Sequence, residues 1–443
     1  MKDTPIPFEI VKKNIENSGI AEVGKATIRE IKRLVDSIEK ESGMKFIRME
    51  MGVPGIPASP IGIEAQCNAL HQGVASVYPD IEGIAPLKSE ISRFAKLFLD
   101  IEVNPANCIP TVGSMQGGFA CFMTLNRIHA AQDTTLFLDP CFPVHKQQCR
   151  VLGVKHVGFD VYNYRGAKLR EKLESYLSSG SISSILYSNP NNPSWVCFTE
   201  EELKILGDLA NKYNVVIMED LAYFGMDFRK DYSKPGQPPY QPTVAKYTDN
   251  YVLLISSSKV FSYAGERIGM MIISDKLFNT VAPDLKRFYS FDQFGKAMIF
   301  GTMYSLSSGT SHSAQYALAA MLKAVNEGQL DFVSSVKEYG EKAHIMKKLF
   351  TENGFKIVYD KDLDEPIADG FYFTISYPGL SGGQLIEEFM YYGISAISLA
   401  ITGSERTEGL RACVSLVLRK QFPDLEVRLK KFHENHPIVA AII

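Results

Sequence analysis

None of the seven cysteines pairs in C-x-x-C spacing; they stand scattered at 67, 108, 121, 141, 149, 197 and 413. An odd, unclustered set argues against a disulfide framework and against a zinc cluster, so no metal site is expected and a reducing, cytoplasmic location fits. An excess of charge is missing too. A net charge of −3 over 443 residues gives no electrostatic case for nucleic acid or an anionic membrane as partner. No apolar run approaches the roughly 20 residues that span a bilayer, and the opening Met1–Pro5 lacks the apolar core of a signal peptide. There is no internal repeat and no low-complexity tract. What remains is an ordinary globular composition, 45% apolar and 22% charged. The length exceeds one small core, so a large domain with a smaller companion is expected.

The most informative stretch is Ser256-Ser257-Ser258-Lys259-Val260-Phe261-Ser262-Tyr263-Ala264-Gly265-Glu266-Arg267. Apolar runs flank it, Tyr251–Ile255 before and Ile268–Ile273 after, and both read as buried strands. A lysine where a buried strand ends can be desolvated, which leaves free amine able to attack a carbonyl. The hydroxyls at 256, 257 and 262 and the Arg267 guanidinium suit a phosphate beside that amine. The plainer possibility is a solvated loop lysine next to a surface arginine.

Along the chain, a helix is expected from about Ala21 to Glu41 and a strand over Lys45–Met51, followed by the Gly52–Pro57 glycine-proline loop. Tyr78 sits in a turn before a helix spanning about 85–99. Ile109–Gly118 reads as a short strand entering a glycine-rich turn and then an apolar helix. Exposed backbone N–H groups at such a helix start favour an anion. This stretch is neither G-x-x-x-x-G-K nor G-x-G-x-x-G, so a single phosphate is a better fit than a nucleotide. Strands at 135–139, 155–160, 182–187 and 214–220 then alternate with helices at 144–152, 169–178 and 200–213. The last of these helices opens with a capping box at Thr199–Glu202. The alternation predicts a mainly parallel sheet, whose ligands sit beyond the carboxyl ends of its strands. Phe142, Asn192, Asp220 and Lys259 all fall just past such ends. The 229–250 stretch reads as a long excursion, a lid or flap. Helices follow near 277–290, 312–326 and 331–353. Strands at 370–375 and 410–416 and a helix at 382–392 make an α+β C-terminal piece.

These residues supply every part that pyridoxal phosphate chemistry needs. Lys259 is the amine for a Schiff base and Asp220 the carboxylate for the pyridine nitrogen. Tyr223 and Asn192 are donors to the phenolate oxygen, and Phe142 is the stacking face. Ser114, Met115, Gln116, Ser256 and Arg267 hold the phosphate, and Arg411 is a fork for a substrate carboxylate. For Arg411 the competing possibility is an ion pair with Glu405 or Glu408.

The order N-P-N-N-P-S at 189–194, E-D-L-A-Y at 219–223, S-S-S-K at 256–259 with arginine eight residues later, and G-L-R at 409–411 resembles the class I/II aminotransferases. That resemblance covers nearly the whole chain. It implies an α/β fold-type I pyridoxal phosphate-dependent transferase: a large domain with a mainly parallel seven-stranded sheet and a smaller α+β domain. The expected division is an N-terminal segment, 1–55, packing with the small domain, then a large domain, 56–310, and a small one, 311–443. It further implies a homodimer in which Tyr78 reaches the neighbouring subunit's phosphate, and Gly52 lying near the substrate carboxylate. Two departures stand out. Ser194-Trp195 follows Asn192-Pro193 where the family usually has threonine or serine then glycine, so Trp195 is expected to reshape the entrance. Phe142 replaces the common tyrosine or tryptophan.

The expected activity is transfer of an α-amino group between an L-amino acid and a 2-oxo acid. A C–S β-lyase, a decarboxylase or a synthase would use the same fold and cofactor. A regulator built on this domain usually carries a basic DNA-binding module ahead of it, and the stretch before residue 55 is short and not basic.

Overall fold

The computed structural model describes residues 3–438. The chain divides into two compact units, one formed by Met1–Gly55, Asn192–Val196 and Lys337–Ile443, the other by Ile56–Asn191 and Cys197–Val336.

The larger unit is built on a seven-stranded sheet. Its spatial order is Cys108–Thr111, Gly269–Ile273, Tyr251–Ser256, Val216–Leu221, Ile182–Ser188, Thr134–Asp139, Lys155–Asp160. Only Gly269–Ile273 runs against the rest, antiparallel to both its neighbours. The four remaining junctions are parallel. Thr134–Asp139, Ile182–Ser188, Val216–Leu221 and Tyr251–Ser256 are buried along their whole length, whereas the edge strand Lys155–Asp160 is buried only at its end, as expected for a parallel sheet covered on both faces. The apolar helix Gly113–Leu125 lies over it, and Phe122, Leu254, Met271, Phe294 and Met298 share one core. The capping box at Thr199 is present: Thr199 Oγ1 accepts from Glu202 N at 3.2 Å, and Thr199 N donates to Glu202 Oε2 at 3.0 Å. Glu202 also holds Arg165 through two 2.7 Å bonds.

Several expected elements take another form. The helix expected near 277–290 is a short helix, Asp275–Asn279, and a 3-10 turn, Pro283–Arg287. Pro283 has no N–H to give and steers the residue before it away from helix. The helix expected from Asp331 begins at Glu338, because the Asp331 carboxylate turns back to accept from Val333 N and Ser334 N. The 229–250 excursion is not a free flap. Gly236 N bonds Leu97 O and Gln241 N bonds Phe98 O, while Glu219, fully buried, accepts from Thr243 Oγ1 at 2.5 Å, Val244 N at 3.2 Å and Tyr187 Oη at 2.9 Å. Burial still pushes the Glu219 carboxyl up to about 7, since removal from water outweighs those donors. The helix His312–Asn326 packs on Pro60–His71 and Ala85–Phe94 within this unit, whereas the expected domain line fell at 310/311.

In the smaller unit a four-stranded antiparallel sheet has the order Ile397–Ser398, Leu410–Cys413, Tyr372–Ser376, Lys356–Ile357. The strand expected over 45–51 shrinks to Ile47–Arg48, because its parallel partner, Ile394–Ser395, is equally short. Met49 O accepts from Cys413 N at 2.9 Å, which straps this N-terminal stretch to the sheet. An aromatic cluster of Phe350, Phe355, Phe389 and Phe432 fills the space between helices and sheet.

Candidate functional site

In the larger unit the candidate residues gather at the carboxyl ends of neighbouring strands, Asp220 within the last two residues of its strand rather than just past it. Asp220 is the penultimate residue of Val216–Leu221, 5% exposed, and pairs in register with Leu254 of the adjacent strand. That adjacent strand, Tyr251–Ser256, runs straight into the one-turn helix Ser257–Val260, which carries half-buried Lys259. Lys259 is therefore not the solvated loop lysine of the plainer possibility. Ser256 Oγ caps this turn by accepting from Ser258 N at 3.1 Å. Ser257 Oγ donates to Ile268 O at 2.5 Å, so its hydroxyl ties the turn to the returning strand. The Ser262 Oγ is buried and has no hydrogen-bond partner among the described residues.

An ionised carboxylate at the end of an apolar strand costs several kcal/mol unless it is paired. Asp220 Oδ1 accepts from Ala222 N at 3.1 Å, and Asp220 Oδ2 lies 3.2 Å from His145 Nε2. Sequence reasoning missed His145. Its signal was its spacing, three residues beyond Phe142 at the start of the helix Pro143–Leu152, where it meets the Phe142 ring edge-on at 5.6 Å. Tyr223 is buried, two residues after the strand that carries Asp220.

The helix start at Gly113 has the expected form. Gly113 takes φ +65°, and a Cβ there would come within 2.7 Å of Arg267 Nη2. The Arg267 guanidinium thus stands against the N-terminus of Gly113–Leu125, and both are positive ends for one anion. Arg267 itself is at φ 51°, with Nη1 donating to Ala264 O at 2.9 Å. Of the three phosphate residues expected here, Gln116 contributes no free side chain. Its Oε1 accepts from Val112 N at 2.8 Å and its Nε2 donates to Ser307 Oγ at 2.7 Å. Backbone N–H groups at Ser114 and Met115 remain as donors, whereas that of Gln116 closes the first helical turn onto the carbonyl of the N-cap Val112, so Gln116 is not among the phosphate donors expected here. Tyr78 is 90% exposed, and His312 Nδ1 lies 2.9 Å from the carbonyl of Val77 beside it.

The smaller unit holds the other candidates. Arg411, 1% exposed, lies opposite Thr374 in the central strand pair. Its Nη2 donates to Glu50 O at 2.7 Å and its Nη1 to Asn192 Oδ1 at 3.4 Å, and its Cζ stands 4.5 Å from the centroid of the Tyr372 ring. The expected alternative, an ion pair with Glu405 or Glu408, is not formed. The Glu50 side chain is engaged by Arg48 at 2.7 Å and Ser395 at 2.6 Å, so it offers Arg411 only its carbonyl. Arg411 Nε is buried without a hydrogen-bond partner among the described residues. A buried cation with no carboxylate and an idle N–H is unfavourable unless an anion completes it. Gly52 is required for space, because a Cβ there would overlap the Tyr372 hydroxyl.

Trp195 does not shape an open entrance. It is fully buried at φ 65°, edge-on to Tyr372 at 6.2 Å, and it lies so close to Gly370 that a Cβ there would overlap the indole. Glycine takes that backbone conformation freely; here the indole packing holds a tryptophan in it.

The sequence profile described as "Aminotransferase class I and II" matches residues 58–362. A probable aspartate aminotransferase of Methanocaldococcus jannaschii is 26% identical over 334 residues, covering 75% of this chain and 78% of that protein. A second protein of that organism, a (5-formylfuran-3-yl)methyl phosphate transaminase, is 24% identical over 383 residues, covering 85% and 86%. Among solved structures, an alanine aminotransferase from Pyrococcus furiosus superposes with a TM-score of 0.75 and 19% identity, covering 93% of this chain and 98% of that one.

The geometry of Arg411 makes a sharp prediction. A lysine cannot reproduce two parallel N–H donors. Arg411→Lys should keep the fold but weaken amino-acid binding by about 1.5–3 kcal/mol, the scale of a charged hydrogen bond. Titration calorimetry with an amino acid and with its carboxylate-free amine checks this. Equal loss for both ligands would make Arg411 a structural residue.

Proposed function

This chain belongs to the class I and II aminotransferase family, whose members use pyridoxal phosphate, and we propose on that premise that it moves an α-amino group between an L-amino acid and a 2-oxo acid. The observation that supports this reading most is the pair Asp220 and Lys259 at the carboxyl ends of adjacent strands, with Arg267 against the start of Gly113–Leu125. The donor set fits pyridoxal phosphate: a helix N-terminus and an arginine for the phosphate, a buried carboxylate for the ring nitrogen, and an amine.

When bound, the cofactor supplies a sink for the electrons left at the substrate Cα. The chain's own residues do the rest. Ser114 and Met115, through backbone N–H groups, together with Ser256 and Arg267, hold the phosphate. Asp220 keeps a proton on the pyridine nitrogen, and Phe142 covers the ring. Tyr223 and Asn192 donate to the phenolate oxygen. Arg411, steadied by Asn192 and Glu50 O and flanked by Gly52, binds the substrate carboxylate by two parallel N–H bonds. The Lys259 amine holds the cofactor and takes the Cα proton once that substrate is oriented.

A panel of L-amino acids, each incubated with a 2-oxo acid acceptor and pyridoxal phosphate, tests the activity by chromatography of both products. The expected result is a new amino acid formed in step with the donor's 2-oxo acid, abolished in Lys259→Ala. Release of ammonia and pyruvate from a β-substituted donor, with no new amino acid, would replace the transfer by β-elimination.

We further propose that the functional form is a homodimer in which the exposed Tyr78 serves the phosphate of a second copy. Mixing inactive Tyr78→Ala and Lys259→Ala proteins should then regenerate activity through hybrid sites. Proven subunit exchange without recovery would rule the shared site out.

A further inference from the structure

Behind Asp220 a chain of buried polar groups runs to the start of Gly113–Leu125. Asp220 Oδ2 lies 3.2 Å from His145 Nε2, His145 Nδ1 lies 3.4 Å from Gln148 Oε1, and Gln148 Nε2 donates to Met115 O at 2.9 Å. His145 and Gln148 are 3% and 8% exposed. They stand three residues apart on the helix Pro143–Leu152, so both face the same way. The Phe122 and Phe142 rings meet the imidazole edge-on. Gly118 leaves room for it, since a Cβ there would come within 3.3 Å of Cε1.

The direction of each bond follows from donor chemistry. A backbone carbonyl only accepts, so the atom of Gln148 that meets Met115 O is the amide nitrogen. The amide is thereby fixed, and its oxygen, which also only accepts, faces His145 Nδ1. On the other side of the ring, Nε2 faces a carboxylate oxygen. Two acceptors therefore bracket one imidazole. A neutral ring can satisfy only one of them and would set a bare nitrogen lone pair against the other acceptor. Turning the Gln148 amide over would relieve that contact only by setting its NH₂ group away from Met115 O and leaving that carbonyl facing an oxygen.

We propose that Gln148 is a positioning residue that holds His145 in the doubly protonated form, with one N–H to Asp220 and one to Gln148. The Asp220–His145 pair is then a carboxylate–imidazolium pair with no net charge. The same amide ties the phosphate-side helix start to the carboxylate at the far end of the ring. The protonation stands on the hydrogen-bond geometry alone, whereas its consequence for the cofactor rests on the role of Asp220 proposed above: Gln148 would moderate how strongly Asp220 attracts the proton on the pyridine nitrogen.

Nitrogen-15 NMR of the full chain, labelled at histidine and saturated with pyridoxal phosphate, reads this at pH 7. His145 signals are assigned by their loss in His145→Asn. In the wild type both His145 ring nitrogens should report N–H. In Gln148→Met, which has no acceptor for Nδ1, one of them should become a lone-pair nitrogen. Gln148→Glu, which restores an acceptor but not the donor to Met115 O, should show two N–H again. A lone-pair nitrogen on His145 in the wild type, or two N–H signals in Gln148→Met, would overturn the assignment. Should Gln148→Met fail to fold, Gln148→Leu, which likewise offers Nδ1 no acceptor, takes its place, with the same two outcomes. The spectra need no turnover, so a protein that shows both N–H signals yet transfers no amino group would contradict the activity and leave this assignment standing.

Discussion

Asp220 is a carboxylate delivered by an apolar strand to a place with almost no water. Its 5% exposure sets the terms for its surroundings. Charge there is tolerable only with donors on the protein side and a cation on the open side. Ala222 N and His145 supply the first condition, and in the proposed function a protonated pyridine nitrogen would meet the second. The parallel sheet makes this arrangement possible. It carries the chain ends of neighbouring strands to one rim, so Asp220 and Lys259 reach it from adjacent strands although 39 residues of sequence separate them.

Arg411 poses the same problem with the opposite sign. Its guanidinium is buried on a central strand; among the described residues its partners are a carbonyl, an amide oxygen and an aromatic face, and its Nε is idle. Cation–π contact with Tyr372 is worth about 0.5–2 kcal/mol, less than burial of a lone charge costs. In the proposed function a substrate carboxylate would close the gap. Gly52, Gly370 and Trp195 are read as the packing that holds Tyr372 under that guanidinium.

Much of this was legible in the sequence because buried strands announce themselves. Runs such as Val215–Met218 and Tyr251–Ile255 are continuous and apolar, and the polar residue that ends each one is a candidate by position alone. The capping box at Thr199 and the glycine-rich helix start at Gly113 were legible for the same local reason. What escaped depends on partners distant in sequence. His145 means little until Asp220 faces it. The 229–250 excursion looked free because nothing local reveals that Glu219 accepts from Thr243 and Val244. Trp195 looked like an entrance residue because its burial depends on Gly370 and Tyr372, 175 and 177 positions away. The helices near 277 and 331 were overextended because apolar spacing hid the effects of Pro283 and Asp331.

The proposed function requires Lys259 to be the one lysine that holds the cofactor, and that can be measured directly. The protein, saturated with pyridoxal phosphate, is reduced with borohydride and digested, and the phosphopyridoxyl group is located by mass spectrometry. A single modified peptide carrying the group on Lys259 is the predicted result. Stoichiometric modification of a different lysine, with Lys259 unmodified, would contradict it.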